Sequence, residues 1–250
     1  MLNKEREQEI LSLLGSRNGF VTVKELCDRL FASESSVRRD LKELEKNGLI
    51  KRSYGGATLA KNFSNIVTFN HRTRQNAAAK KEIAQKAASL VHDGAILFLD
   101  QSSTAFYLAN ELMNRTALTV VTNNIEIMML LSNSGIKLLS SGGFLSDENR
   151  NCLIGSDAQK TFEQINADIT FFSVKGLAED GTVTDCSREE VIVRNAMLQN
   201  ASKKVLLCDS SKFNRKAPYL QCHLKEIDCL ISEENRARQF SKYQEHIQLL

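Results

Sequence analysis

SESSVRRDLKELEKNGLIKRSYGGA, residues 33–57, decides how the front of this 250-residue chain folds. On a helical wheel, Leu41 and Leu44 fall within about 40° of Val37 and make one apolar stripe. Ser35, Arg39, Lys42 and Lys46 fall on the opposite side, with Ser36 and Arg38 on the flanks. Ser33 is placed to cap this helix, and Gly48 to stop it. LIKRSYGGATLA then reads as two short strands, with Gly55-Gly56 able to supply the positive φ of a tight hairpin turn. Upstream, Val23, Leu26, Cys27 and Leu30 recur at i, i+3, i+4 and i+7, a second helical face, and Phe31 and Ala32 make the turn between the two. Residues 3–14 read as a first helix carrying Ile10, Leu13 and Leu14, ended by Gly15 and Gly19. Three short helices followed by a hairpin make a winged helix-turn-helix, expected over residues 1–58.

That reading turns the polar face of the third helix toward DNA. In a helix-turn-helix, the N-terminal part of the second helix of the motif enters the major groove. Arg39 is then placed for guanine O6/N7 and Ser35 for base edges. Ser33, Ser36, Arg38 and Lys42 complete the DNA-facing set, with Ser36 and Arg38 suited to phosphates. In the wing, Lys51, Arg52 and Tyr54 reach toward backbone or minor groove. Asp40 repels DNA, so an ion pair or cap inside the protein is expected of it. The competing reading is a plain solvated face. Charge favours the DNA reading modestly: residues 1–58 hold 11 basic and 9 acidic side chains and residues 59–82 hold 5 and 1, while the chain as a whole is only +3.

The same stretch resembles the signature of the DeoR-type bacterial repressors, in which Ser-x-x-Thr/Ser-Ile/Val-Arg-Arg-Asp-Leu leads to Leu-Glu, Gly-Leu/Ile, Arg and His/Tyr-Gly-Gly-Ala. Ser36 stands where threonine is usual, and Tyr54 where histidine is common. The resemblance implies a repressor of a sugar or nucleoside utilisation operon, cytoplasmic, binding double-stranded operator DNA as a homodimer or homotetramer.

Residues 59–75 read as a polar linker and 76–250 as a second domain. AAAKKEIAQKAASLV begins it as a helix. AILFLD, ALTVVT, IKLLSS, DITFFSV, KKVLLCD and IDCLIS are apolar runs of strand length, most of them separated by helical segments such as STAFYLANELM, NNIEIMMLLS and SREEVIVRNAMLQNA. Such alternation predicts an α/β fold with a mostly parallel sheet covered on both faces. In open α/β sheets ligands bind beyond the carboxyl ends of strands. Ser102, Ser103 and Thr104 follow the first strand and open a helix, which suits an anion. Lys175 and Lys212 add positive charge, Asp100 and Asn123 suit sugar hydroxyls, and Gly142-Gly143 permits close backbone approach to a ligand. ILFLDQSST, VVTNN, LLSSGGFL, FFSVKGL, DGTVTD and LLCDSSKFN resemble, in order, the sensor motifs of the same family, whose C-terminal region is similar in fold to ribose-5-phosphate isomerase and glucosamine-6-phosphate deaminase. The resemblance implies a phosphorylated sugar as effector. Ser102 stands where the family usually has glycine.

The N-terminus lacks the apolar core of a signal peptide, and no apolar run approaches the roughly 20 residues of a membrane span. The six cysteines show no metal-ligand spacing and read as reduced, buried thiols of a cytosolic protein. His92, His223 and His246 show no partner spacing. No cofactor is expected. Two other functions compete: a sugar-phosphate isomerase or deaminase, which needs a poised carboxylate base, and an architectural DNA binder, which has no use for a sensor domain.

Overall fold

The computed structural model describes residues 3–16, 20–60, 69 and 72–250. They fall into two compact units, residues 1–75 and 76–250. In the first, α1 (Asn3–Ser16), β1 (Val21–Thr22), α2 (Val23–Leu30) and α3 (Glu34–Lys46) lead into a hairpin of β2 (Ile50–Ser53) and β3 (Gly56–Leu59). Gly15 lies inside α1 rather than ending it, and Gly19 lies outside the described residues. Ile10, Leu14, Leu26, Val37, Leu41 and Leu44 are buried together, so the apolar stripe of α3 packs as its spacing predicts. Ser33 Oγ accepts the Ser36 N–H at 3.4 Å, and Gly48 takes the left-handed φ of +70° just past α3. Asp40 is buried and receives Arg6 Nε at 2.5 Å and Arg6 Nη2 at 3.1 Å, the intraprotein ion pair expected of it.

The wing contains a strand the sequence reading lacked. β1 pairs antiparallel with β3, giving a three-stranded sheet in the order β1-β3-β2. This also changes what the two glycines do. Gly55 takes the positive φ of the turn, +81°, in open space. Gly56 does not; a Cβ there meets the Val21 carbonyl oxygen at 2.2 Å and the Phe20 ring at 2.5 Å. Gly56→Ala is therefore expected to destabilise this unit by about 1–3 kcal/mol through overpacking. Gly55→Asn, which tolerates the left-handed region, is expected to cost far less. Circular-dichroism melts of the two variants check this, and equal losses would remove the close-packing account.

The second unit begins with α4 (Ala77–Ala88). The six apolar runs become β4 (Ile96–Leu99), β5 (Thr119–Thr122), β6 (Lys137–Ser140), β9 (Ala167–Phe172), β12 (Ala201–Leu207) and β14 (Cys229–Ile231). A seventh, β15 (Gln248–Leu249), was not legible as a strand. All neighbours pair in parallel, in the order β15-β14-β12-β9-β4-β5-β6. Alternate strand residues point to opposite faces. Leu97, Leu99, Val120, Ile169 and Phe171 pack under α4, α5 (Ser103–Leu112) and α6 (Ile125–Leu131). Phe98 and Val121 face the other way, toward α7 (Ser156–Glu163) and α8 (Arg188–Gln199), where Phe98 meets the Phe162 ring edge-on at 5.0 Å. A short hairpin, β7 (Phe144–Leu145) with β8 (Leu153–Ile154), and a small antiparallel sheet of β10 (Gly176–Leu177), β11 (Thr182–Asp185) and β13 (Tyr219–His223) decorate the strand ends.

Three expectations need correction. Residues 72–74 of the expected linker are helical, and Phe69 is buried; residues 61–68, 70 and 71 lie outside the described residues. The cysteines form no disulfide among the described residues, but Cys186 is exposed and Cys27 half-buried. His223 has partners: its Nδ1 accepts the Lys225 N–H at 3.1 Å and its Nε2 meets the Asp180 carbonyl at 2.8 Å. Among the described residues no helix is long and apolar enough to cross a membrane.

Candidate functional site

On the front unit, burial of Val37, Leu41 and Leu44 leaves Ser35, Arg39 and Lys42 exposed along one side of α3. The other candidates are held by partners. Arg38 Nη2 and Nε reach Glu34 Oε1 at 2.6 and 2.8 Å. Arg52 Nε reaches Glu45 Oε2 at 2.7 Å, and its own N–H donates to Glu45 Oε1 at 3.0 Å. Those hydrogen bonds hold Glu45 below the usual carboxylate range. Ser33 Oγ lies 2.9 Å from Ser36 Oγ and 3.1 Å from Ser35 Oγ, so three hydroxyls cluster at the positive end of α3. Lys51 and Tyr54 project from the wing, Tyr54 fully exposed. Among the described residues Arg39 and Lys42 have no ion-pair partner on this face, while Arg38 and Arg52 must release a glutamate before they reach a phosphate.

In the second unit, β4 runs up the middle of the sheet. The chain passes from β4 to β5 and β6 on one side, then returns to β9 on the other. In open α/β sheets the reversal of strand order, here at the carboxyl ends of β4 and β9, is where a ligand crevice is expected. Asp100 leaves β4 here, Ser173 leaves β9, Asn123 leaves β5, and residues 209–212 follow β12.

Asp100 is completely buried and committed to the protein. Its Oδ1 accepts the Ser102 N–H at 3.0 Å; its Oδ2 accepts the Ser173 N–H at 3.0 Å and Arg194 Nε at 3.2 Å. It ties β4 to β9 instead of presenting free acceptors to a sugar, a correction to the expected role. Arg194, on α8, is also buried; its Nη1 meets Gln221 Oε1 at 2.7 Å and Asp185 Oδ2 at 3.0 Å. Burial works against the charged guanidinium, but Asp185, Asp100 and Glu190 more than offset it and raise its pKa. Glu190 is held in turn by Gln101 Nε2 at 2.7 Å and Asn149 Nδ2 at 2.9 Å. The carboxylates at this crevice thus converge, but on a single arginine that offsets part of their charge.

Ser102 N-caps α5, its Oγ accepting the Ala105 N–H at 3.0 Å, so its hydroxyl serves the helix. Ser103 and Thr104 follow at the helix N-terminus, both buried, with Thr104 Oγ1 lacking a partner among the described residues. Asn123 Nδ2 donates to the Leu153 carbonyl at 3.2 Å, while its buried Oδ1 has no partner among the described residues. Lys212 Nζ donates to Ser173 Oγ at 2.7 Å and lies 3.3 Å from Asp209 Oδ2. Burial pushes Asp209 up, but Lys212 and Ser211 hold it, on balance, below the usual carboxylate range. Lys175 is exposed and close enough to Cys186 to act on its thiol electrostatically. Gly142 (φ +66°) and Gly143 (φ +92°) both need glycine, but a Cβ on Gly143 meets the Ile154 carbonyl at 2.3 Å. Close approach there is to β8, not to a ligand, which corrects the expectation for that residue. A neighbouring cavity of about 430 Å³ is bordered by Glu82, Asp209, Glu233 and Glu234 against Arg236, a net negative lining that disfavours an anion.

Arg194, Asp185, Glu190 and Ser173 were not among the candidates. One signal was available: Glu190 and Arg194 lie four apart on the stripe of α8 that also carries Val193 and Met197, charges where only apolar residues pack without partners.

Residues 6–63 match the family model of the DeoR-like helix-turn-helix domain, and residues 75–234 that of the DeoR C-terminal sensor domain. The chain belongs to the DeoR family. It is 34% identical over 234 residues to the HTH-type transcriptional repressor GlcR of Bacillus subtilis, covering 93% of this chain and 89% of that one. It is 31% identical over 234 residues to the L-fucose operon activator of Escherichia coli, covering 92% and 95%. Ribose 5-phosphate isomerase A of Methanocaldococcus jannaschii is a partial likeness of fold, with a TM-score of 0.41, 22% identity and coverage of 54% of this chain and 53% of that one. This DeoR-family chain is thus a helix-turn-helix transcriptional regulator with an α/β sensor domain, and its place is with regulators rather than enzymes.

Proposed function

We propose that this DeoR-family regulator represses a sugar-utilisation operon and that a phosphorylated sugar bound at the crevice modulates its grip on operator DNA. The observation that carries the reading is Lys212: its ammonium, partly exposed, is aimed by Ser173 and Asp209 to the place where strand order reverses. The N-terminus of α5, with Ser103 and Thr104, adds a second site of positive potential for a phosphate. The open acceptor of Asn123 suits a sugar hydroxyl. Lys175 supplies further charge at the rim, Gly142 leaves open space beside the loop, and Asp100 with Arg194 forms the floor. Relatives named for a repressor and for an L-fucose operon activator support a sugar operon and leave the direction of control to experiment. DNA is gripped by Ser35, Arg39 and Lys42, with Ser33, Ser36, Arg38, Arg52 and Tyr54 on the backbone; two copies, as a homodimer or homotetramer in the cytoplasm, read the two halves of a site.

A thermal-shift screen with glucose 6-phosphate, fructose 6-phosphate and ribose 5-phosphate tests the sensor half. A ligand at about 100 times its Kd adds roughly 2.7 kcal/mol to the native state, a rise of about 5 °C or more for a unit of this size. Lys212→Met is expected to erase the rise. A full shift in that variant would take Lys212 out of the site. Transcription in vitro from a promoter carrying the selected DNA site reads the direction: a fall on adding protein supports repression, and a gain reverses it.

A further inference from the structure

A cavity of about 280 Å³ opens between α3 and the wing. One wall is a single stripe of α3, on which Arg38, Leu41 and Glu45 recur at i, i+3 and i+7. The other wall is the wing, with Arg52 and Ser53 from β2 and then Gly55 and Gly56. Val23, the first residue of α2, borders it as well. Backbone bonds fix these walls: the Val23 N–H donates to the Gly55 carbonyl at 2.8 Å, and β1 pairs with β3. Two cations thus border the cavity against one anion, the reverse of the balance around Asp209 in the sensor unit.

Each arginine here carries an anion of the protein's own. Arg52 gives Nε to Glu45 Oε2 at 2.7 Å and its main-chain N–H to Glu45 Oε1 at 3.0 Å. Arg38 gives Nη2 and Nε to Glu34 Oε1 at 2.6 and 2.8 Å. A guanidinium binds carboxylate and phosphate through the same donors, so these glutamates occupy donors that a phosphate needs. Exposed pairs of this kind contribute little to stability, and a phosphate shared by two arginines can displace them. The two glutamates differ in one respect. Glu45 itself borders the cavity and Glu34 does not. Glu34, once displaced, stays in water at the start of α3. Glu45, once displaced, leaves its charge beside the incoming anion.

We propose that the notch between α3 and the wing seats a single backbone phosphate of DNA, held by Arg38 and Arg52 together, and that Glu45 competes with that phosphate and so limits how tightly DNA is held. The proposal rests on the reading of the front unit as the DNA-binding unit. One phosphate fixed at the junction of helix and wing sets the register in which Arg39 meets the bases. The competition acts on every sequence alike, because a phosphate carries no base identity. Glu45 works through Arg52 rather than by touching DNA, and only side chains need to move.

The test uses full-length protein, a duplex chosen by selection from a random pool and an unrelated duplex of equal length. Kd is read by fluorescence anisotropy at about 0.15 M salt, which screens charges beyond about 8 Å. Glu45→Gln keeps an acceptor for the Arg52 N–H and removes the charge. It is expected to lower Kd about threefold on both duplexes, and by less than about 1.5-fold in an Arg52→Gln background. An equal gain in both backgrounds is a plain charge effect and overturns the competition. Single methylphosphonates stepped along the selected duplex neutralise one phosphate at a time. At one position the loss is expected to reach about threefold, and to shrink below about 1.5-fold in Arg38→Gln and in Arg52→Gln alike. Circular-dichroism melts establish that each variant is folded. Arg38 and Arg52 answering to different phosphates, or weaker binding by folded Glu45→Gln, overturns the proposal. If Arg39→Ala still loses affinity while no phosphate answers to both arginines, the shared seat falls alone; if neither duplex is bound, the DNA-binding reading falls with it.

Discussion

Arg194→Met is expected to lower the stability of the sensor unit by about 3–5 kcal/mol, the largest loss among the substitutions considered for this chain. The guanidinium is fully buried, 3.2 Å from Asp100 and 3.0 Å from Asp185, with Glu190 adding to its field. Removing it strands two carboxylates in a site that water does not reach, and each must stay charged without a partner or take up a proton. Asp100 also carries the N–H groups of Ser102 and Ser173, so its neutralisation loosens both β4 and β9 at the crevice. Urea unfolding followed by circular dichroism reads the loss; the chain contains no tryptophan, so the usual fluorescence probe is absent. The triple variant Arg194→Met, Asp100→Asn, Asp185→Asn is expected to recover part of it, because the two carboxylates that pair with the guanidinium are then neutral and only Glu190, held by Gln101 and Asn149, keeps its charge. A loss below about 1 kcal/mol in the single variant would show that the network is not what holds the strand ends together.

Arg39→Ala is expected to weaken binding to the selected duplex by about 1–3 kcal/mol, roughly 5- to 150-fold in Kd, and to relax preference at one base pair. The size follows from what Arg39 is doing before DNA arrives. It is exposed on the face opposite Val37, Leu41 and Leu44, so its fork is available for a bidentate contact. Arg38 starts from an ion pair with Glu34 at 2.6 Å. Arg38→Ala is therefore expected to cost only a few-fold, equally on all sequences, with a shallower salt dependence. Arg39→Lys should not rescue the loss, since an ammonium cannot reproduce the fork. Equal losses for Arg38→Ala and Arg39→Ala on matched and mismatched duplexes would remove Arg39 from base readout.

Much of this is legible in the sequence. The spacing of Val37, Leu41 and Leu44 defines the buried side of α3, and therefore its DNA-facing side, because helical periodicity is local. The six apolar runs define the sheet, because strands buried on both faces need continuous apolar sequence. Signals failed where the deciding contact is distant in sequence. Val21-Thr22 becomes a strand only because β3 lies beside it, and Gly56 is needed only because Val21 and Phe20 come to it. β15 is two residues long and is a strand only by pairing with β14.

The sequence by itself determined the family, the winged helix-turn-helix, the α/β sensor and the loops that meet at its strand ends, since each is written in spacing over a few residues. Tertiary structure decided which of those loop residues remain available. Asp100, Arg38 and Arg52 look as free in sequence as Lys212 and Arg39, yet the first is neutralised from 94 residues away and the others by glutamates four and seven residues off. Charges in a folded chain are allotted by proximity in space, and burial makes the allotment binding: an unpaired charge inside costs several kcal/mol, so the fold brings Arg194 to Asp100 and leaves Arg39 in water.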